Sequence, residues 1–333
     1  MLLPLTGEFG FFGDQVRKGA ELALKGFRDE GREIELHFED DQCLPRFAVE
    51  GFQRHRTVNN VQAVIGPGCT GGILAVAPLA KQANLPVLAL LDANREVERA
   101  GGVAVLGFSS EREPELIADE MNKQGLKTAA MICETDAWAE LVCSTFRAKW
   151  QALGGSLVAD ELQRIDDRDY RPVIRRALGR KPQAIYFVPA YNGGVFLKQL
   201  RELNTKIPVF GPDTFGTKEV IDAAGGAAAA EGTIYAGVDL RPDKPSQREW
   251  IAAFKSAYGS EPSSLYYAAL GYDALRIAVR ALDSGKDWSS ALKAMAYDDG
   301  VLPDVRFDDS LMARIEPVLL RIAGGNFVRY PGG

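Results

Sequence analysis

Short apolar, β-branched runs alternate along this chain with stretches whose apolar residues recur every three to four positions. That alternation limits the possible folds more than any other feature. The runs are Ile34 to Phe38, Val61 to Ile65, Pro86 to Leu91, Lys127 to Cys133, Ala184 to Val188 and Ile207 to Phe210, with Leu2 to Leu5 as a further candidate. Between them, residues such as Val16, Ala20, Leu24 and Phe27 keep helical spacing. Strand, helix, strand units with right-handed crossovers build parallel sheets covered by helices on both faces. The predicted class is α/β. With 333 residues and roughly 150 residues per domain, two domains are expected, each able to bury its own core.

Composition narrows the partners. Hydrophobic residues make up 46% and charged residues 25%, ordinary globular proportions. The net charge of -6 has the wrong sign for a surface that neutralises phosphates, so neither nucleic acid nor an anionic membrane is an expected partner. Apolar stretches such as Val87 to Leu91 fall far short of the roughly 20 residues that span a bilayer. Met1-Leu2-Leu3-Pro4 has no basic segment followed by an apolar one and does not read as a signal peptide. The expectation is either a cytosolic protein or one whose leader has been removed.

A weak internal repeat organises the chain. Gln62-Ala63 recurs as Gln183-Ala184, Gly71-Gly72 as Gly193-Gly194 and Pro86-Val87 as Pro208-Val209. Two similar lobes follow if the repeat is structural. Ligands of open α/β sheets bind outside the carboxyl ends of the strands, so facing lobes would bring the turns at Thr70 and Asn192 to one cleft suited to a small molecule.

Several motifs compete with plain structural readings. Gly66-x-Gly68-x-x-Gly71 after an apolar strand, with Asp92 ending the next one, is formally a dinucleotide fingerprint and would make the chain an NAD-dependent oxidoreductase. It does not follow the first strand, however, and Pro67 stiffens the turn. A Gly-rich strand-to-helix turn is the simpler reading. On either reading, backbone N–H groups at a helix N-terminus beside Thr70 suit a carboxylate or another anion. Gly211 to Lys218 has Thr and Lys in the wrong order for a P-loop. His37 and His55 lack metal spacing, and His37 reads as a sheet residue, so no metal is expected. Glu39-Asp40-Asp41 resembles a pair of catalytic acids but reads more simply as a solvated strand end. No nucleophile elbow is present.

The four cysteines, Cys43, Cys69, Cys133 and Cys143, would be buried thiols in a cytosolic protein. Cys43 and Cys69 each follow a strand end at the same sheet edge, where a bridge is geometrically reasonable. Cys133 and Cys143 could also pair.

Taken together, these residues resemble the type I periplasmic solute-binding proteins, specifically the branched-chain amino-acid-binding (leucine/isoleucine/valine) branch. The resemblance rests on Pro4-Leu5-Thr6-Gly7 with Gly13 and Gly19-Ala20, on Asp40-Asp41-Gln42-Cys43-Leu44-Pro45, and on the Gly66 to Thr70 turn. Asp169-Tyr170, Gly211-Pro212-Asp213, Glu231-Gly232, Tyr272-Asp273-Ala274 and Phe307-Asp308 extend it over nearly the whole chain. It implies two doubly wound parallel-sheet lobes joined by three crossover strands, residues 1–112 plus 238–315 and residues 113–237 plus 316–333, closing on a ligand between them. It also implies a Cys43–Cys69 disulfide, no cofactor and no catalysis. The expected setting is extracytoplasmic, as a monomer that hands its ligand to the membrane permease of an ABC transporter. A ligand sensor of the same clamp fold is the alternative within this resemblance.

The resemblance implies a ligand set residue by residue. Thr70, with Cys69 and Gly71, would hold an α-carboxylate, and Asp213 would pair with the α-ammonium. Tyr191 would offer an aromatic hydroxyl, while Phe12 and Trp138 stand where relatives place tyrosines. Leu91-Asp92-Ala93-Asn94-Arg95 departs from the usual Ser-x-Ala-Thr. Ala93 and Asn94 are expected at the ligand, with Asn94 as a substitute donor, whereas Asp92 would repel an anion unless it points away. An amino acid, or an aromatic or other small carboxylate, is the expected ligand class.

Overall fold

The computed structural model describes residues 1–203, 205–240 and 245–331. The chain begins with β1 (Leu2–Leu3), α1 (Gly10–Asp29), β2 (Glu39–Asp40), α2 (Pro45–Thr57), β3 (Val64–Ile65), α3 (Thr70–Ala83), β4 (Val87–Asp92), α4 (Arg95–Ala100) and β5 (Ala104–Phe108). It continues through α5 (Arg112–Lys123), β6 (Thr128–Glu134), α6 (Ala137–Ala152), β7 (Ser156–Gln163), α7 (Arg171–Gly179), β8 (Ala184–Val188), α8 (Gly193–Glu202) and β9 (Val209–Gly211). A 3-10 turn (Asp213–Phe215), α9 (Lys218–Ala223), α10 (Ala227–Ala230) and β10 (Ile234–Gly237) follow. The last elements are α11 (Pro245–Tyr258), α12 (Leu265–Asp283), α13 (Trp288–Lys293), β11 (Met312–Ile315), β12 (Val318–Ala323) and β13 (Asn326–Arg329). The expected α/β class is the observed one.

Two compact units divide the chain. Unit 1 is Met1–Ser109 with Leu240–Ile315, and unit 2 is Ser110–Asp239 with Glu316–Gly333. In unit 1, β11, β5, β4 and β3 form an all-parallel sheet in that order, and β1 pairs in parallel with β2. Val64, Val87, Ala89 and Val105 from the sheet pack with Ile73, Val76 and Ala77 of α3. The spacing of those helical residues presents one apolar stripe to the strands, and α3 ends at Asn84 in the left-handed conformation. On the outer side, α1 crosses α12 where Gly19 and Gly271 leave no room for a Cβ.

In unit 2 the order is β13-β12-β10-β9-β8-β6-β7, parallel from β10 to β7 and antiparallel through β12 and β13. Both faces of β6, β8, β9 and β10 are buried, which is why these strands read as nearly unbroken apolar runs. Ile132, Ile185 and Phe187 point into one core with Tyr170, Phe196 and Phe215. Met131, Cys133, Tyr186 and Val188 point into the other with Phe146 and Trp150.

The repeat is structural. Val64 N–H donates to the Pro86 carbonyl at 2.8 Å, and Ile185 N–H donates to the Pro208 carbonyl at 2.9 Å. The two Gly-Gly pairs lie at the starts of α3 and α8.

Three expectations are corrected. Ile34 to Phe38 is not a strand: β2 is only Glu39–Asp40, which pairs with Leu2–Leu3, so His37 is not a sheet residue. The strand expected over Val61 to Ile65 is confined to Val64–Ile65. Glu39-Asp40-Asp41 is not simply solvated. Asp41 is 1% exposed, and burial pushes its carboxyl up to about 6. Asp40 accepts hydrogen bonds from the Leu5, Thr6 and Gln42 N–H groups and from the Thr6 hydroxyl.

Candidate functional site

In unit 1 the predicted residues gather at the carboxyl ends of β3 and β4, where loops between parallel strands and helices leave backbone dipoles and side chains exposed to a ligand. Gly66 N–H donates to the Leu88 carbonyl at 2.8 Å and Leu90 N–H to the Pro67 carbonyl at 3.0 Å, which ties the β3–α3 turn to β4. The disulfide Cys43–Cys69, with Cα atoms 5.5 Å apart, anchors the other side of that turn. Cys69 precedes the helix without capping it through its side chain. Gly71 packs beside Pro45.

Thr70 opens α3, and its hydroxyl donates to the Asp92 carboxylate. Both are buried, at 8% and 4% exposure. The Thr70 hydroxyl, expected at a ligand carboxylate, here bonds to the chain's own Asp92 carboxylate. This contact also takes Asp92 out of the role of ribose-binding acid, and the Gly66 to Gly71 turn leads out of the edge strand of its sheet.

Asn94 and Ala93 are fully buried. The Asn94 Oδ1 accepts from the Glu96 and Val97 N–H groups at 2.9 Å each, so this residue caps α4. The capping bonds use only the side-chain oxygen; the Nδ2, the group expected to donate to a ligand, has no hydrogen-bond partner among the described residues. Phe12 is 3% exposed, lies against Gly68 and meets Tyr267 edge to face at 5.1 Å. It is a packing residue of unit 1.

In unit 2 the carboxyl ends of β6, β7, β8 and β9 bring together a richer set. Trp138 stands in the first turn of α6, which Asp136 caps by accepting from the Trp138 and Ala139 N–H groups. Its ring is only partly buried. Tyr191 is half-buried, and its hydroxyl donates to the Ile165 carbonyl at 3.0 Å, a bond that fixes the ring. Asn192 donates to the same carbonyl at 3.3 Å. Asp213 is 8% exposed and starts the 3-10 turn after β9. Its N–H donates to Glu113 Oε1 at 3.2 Å. Desolvation, with Asp213 and Asp239 nearby, raises the Tyr235 phenol well above its usual range.

Sequence reasoning missed Glu134, the last residue of β6. It is 1% exposed and accepts from the Tyr170 hydroxyl and, at 2.7 Å, from the Ala190 N–H. Burial pushes its carboxyl up to about 7, while the hydrogen bonds from Tyr170, Ala190 and Asn192 pull the other way. The available signal was a single acid closing an otherwise apolar strand. On the opposite sheet face Cys133 is bonded to Cys143, with Cα atoms 6.5 Å apart.

Comparison with known proteins shows the family and the fold. The sequence model of the periplasmic binding protein family matches residues 1–314. The Leu/Ile/Val-binding protein homolog 3 of Brucella melitensis is 24% identical over 318 residues, 90% of this chain and 82% of the relative. The leucine-, isoleucine-, valine-, threonine- and alanine-binding protein of Pseudomonas aeruginosa is 22% identical over 84% of this chain and 76% of its own length. Among solved structures, an ABC-transporter solute-binding protein of Rhodopseudomonas palustris in complex with 3,4-dihydroxybenzoic acid superposes with a TM-score of 0.88. It is 23% identical and covers 98% of this chain and 94% of its own. The substrate-binding protein LivJ of Streptococcus pneumoniae with isoleucine also reaches 0.88, at 20% identity over 99% and 98% of the two chains.

Proposed function

Since the chain belongs to the periplasmic binding protein family, we propose that it is the solute-capturing component of an ABC transporter. It binds an amino acid or a related small amphipathic solute, catalyses no reaction and delivers its cargo to a membrane permease. Each unit carries candidate solute-binding residues at its own strand ends, and the protein acts as a monomer. Two disulfides support an oxidising, extracytoplasmic setting.

The observation that carries the reading is the unit 2 half-site. A carboxylate at Asp213, 8% exposed, stands at the strand ends together with the aromatic residues Trp138 and Tyr191. A carboxylate beside aromatic rings is chemically complementary to an amino solute: a solute ammonium makes a charge-assisted hydrogen bond to it, while the aromatic faces take the apolar part. Glu134 fixes the backbone at Ala190 and so positions Tyr191.

Asp213→Asn tests this reading. Removing one partner of a buried charge pair costs about 3 kcal/mol, on the order of a hundredfold in affinity. Calorimetric titration of protein refolded free of bound solute is expected to show that loss for amino-bearing solutes, with the melting temperature little changed. Equal affinity in the two proteins would remove Asp213 from the site.

A further inference from the structure

Glu134 fastens three segments of unit 2 at the end of β6. One carboxylate oxygen accepts from the hydroxyl of Tyr170, at the start of α7, and the other from the N–H of Ala190, in the turn between β8 and α8, at 2.7 Å. The Asn192 side chain donates to it as well. Tyr191 lies between these two contacts, and the Ile165 carbonyl accepts from both the Tyr191 hydroxyl and the Asn192 amide. The turn that carries Tyr191 is thus held by Glu134 on one side and by the β7–α7 loop on the other. All three donors to Glu134 are neutral. Among the described residues no cation contacts this buried carboxylate, and Asp136, a charged neighbour that acts on it, has the same sign. Tyr170 and Tyr191 are the other titratable groups of the cluster. Matched by dipoles alone, Glu134 titrates at about 7.

The two protonation states hold the turn differently. The ionised group accepts from all three partners, and bonds to a charged acceptor are roughly twice as strong as neutral ones. A proton on the carboxyl needs an acceptor, which neither the Ala190 N–H nor the Asn192 NH2 supplies. The Tyr170 hydroxyl then has to turn and accept it, and the bond to Ala190 falls to a neutral one.

Building on the solute-binding reading above, we propose that Glu134 is a positioning residue coupled to the solute: its ionised form sets the Tyr191 turn for binding, and capture of an amino solute drives off the Glu134 proton. The solute ammonium adds to these strand ends the positive charge that the Glu134 cluster lacks, which favours the carboxylate. Coupling of this kind is reciprocal, so the proton weakens solute binding by the same factor as the solute weakens proton binding. Solute is held more tightly above neutrality and released more readily in acid.

Calorimetric titration of refolded protein with the common amino acids and their amides, at about pH 5.5 and about pH 8 and in buffers of differing ionisation enthalpy, tests the inference. For a solute that binds, the native protein is expected to gain about tenfold in affinity over that range and to release protons on binding, read as a buffer-dependent heat. Glu134→Gln is expected to bind with neither effect. Asp41 and Asp273, which burial also raises to about 6, lie in unit 1 and remain in that variant. Tyr170→Phe removes a donor to the carboxylate and is expected to move the affinity transition to higher pH, a second handle if Glu134→Gln folds poorly. Native binding with no pH dependence and no proton release, or both effects unchanged in Glu134→Gln, would overturn the role of Glu134 and leave solute binding intact. Binding of none of these solutes at either pH would overturn both.

Discussion

Glu134 is a buried acid held by three hydrogen-bonding neighbours, and its titration is written into the stability of unit 2. Its carboxyl rises from 4.5 to about 7 on folding, so between those values the folded protein keeps a proton that the unfolded chain has lost. The contribution of this residue is therefore greatest below about pH 4.5, declines as pH rises and is fully lost above about pH 7, by at most about 3 kcal/mol. Glu134→Gln keeps one acceptor oxygen, for the Ala190 N–H, places an NH2 that the Tyr170 hydroxyl can accept from, removes the titration, and is expected to flatten the melting-temperature profile across that window. A profile with the native slope would contradict the assignment. Residues differ in how well their roles can be read from sequence. Asp213 stands out beside Gly211-Pro212, and Cys43 and Cys69 stand out by their strand ends. The Thr70–Asp92 contact spans 22 positions, and no local pattern announces it. An aromatic ring in a helix and an amide after a strand are compatible with many roles, so the local settings of Phe12 and Asn94 were not legible. Packing against Gly68 and capping of α4 become visible only in three dimensions.

At the level of elements, β3-α3-β4 and β8-α8-β9 are two copies of one unit built with different tolerances. Gly72 and Gly194 occupy matching places, but a Cβ at Gly72 would lie 3.2 Å from the Ala48 and Pro67 side chains, whereas one at Gly194 would strike the Val220 carbonyl. Side chains yield more readily than backbone. Gly194→Ala is expected to cost about 2 to 3 kcal/mol through overpacking, and Gly72→Ala clearly less, as measured by denaturant unfolding. Equal costs would contradict the packing described for α8 and α9. The repeat was legible because its Gly-Gly and Pro-Val pairs mark the start of a helix and the entry to a strand. Ile34 to Phe38 misled because its apolar residues suit a strand, yet only Glu39 and Asp40 find a partner, in the two residues of β1. The antiparallel additions β12 and β13 are partly exposed and each carries an arginine, Arg321 and Arg329, so they lack the unbroken apolar runs that betray the parallel strands.

For the whole molecule, the α/β class was readable because sheets buried on both faces require continuous hydrophobic strands, and the Cys43–Cys69 disulfide was implied by the family resemblance, whereas the sequence left the pairing of Cys133 with Cys143 open. The solute is harder to read. It depends on how a few carboxylates are oriented and neutralised, and orientation is a tertiary property. The central claim is that this chain is a binding protein for a small amino solute. Its most direct test is the melting temperature of protein unfolded, stripped of solute and refolded, measured against amino acids, their amides, aromatic acids and NAD(H). A solute at a thousand times its dissociation constant stabilises the folded state by about 4 kcal/mol, a shift of several degrees. The account predicts that shift with an amino-bearing solute and its disappearance in Asp213→Asn, whereas stabilisation by NAD(H) alone, or by none of these compounds, would contradict it.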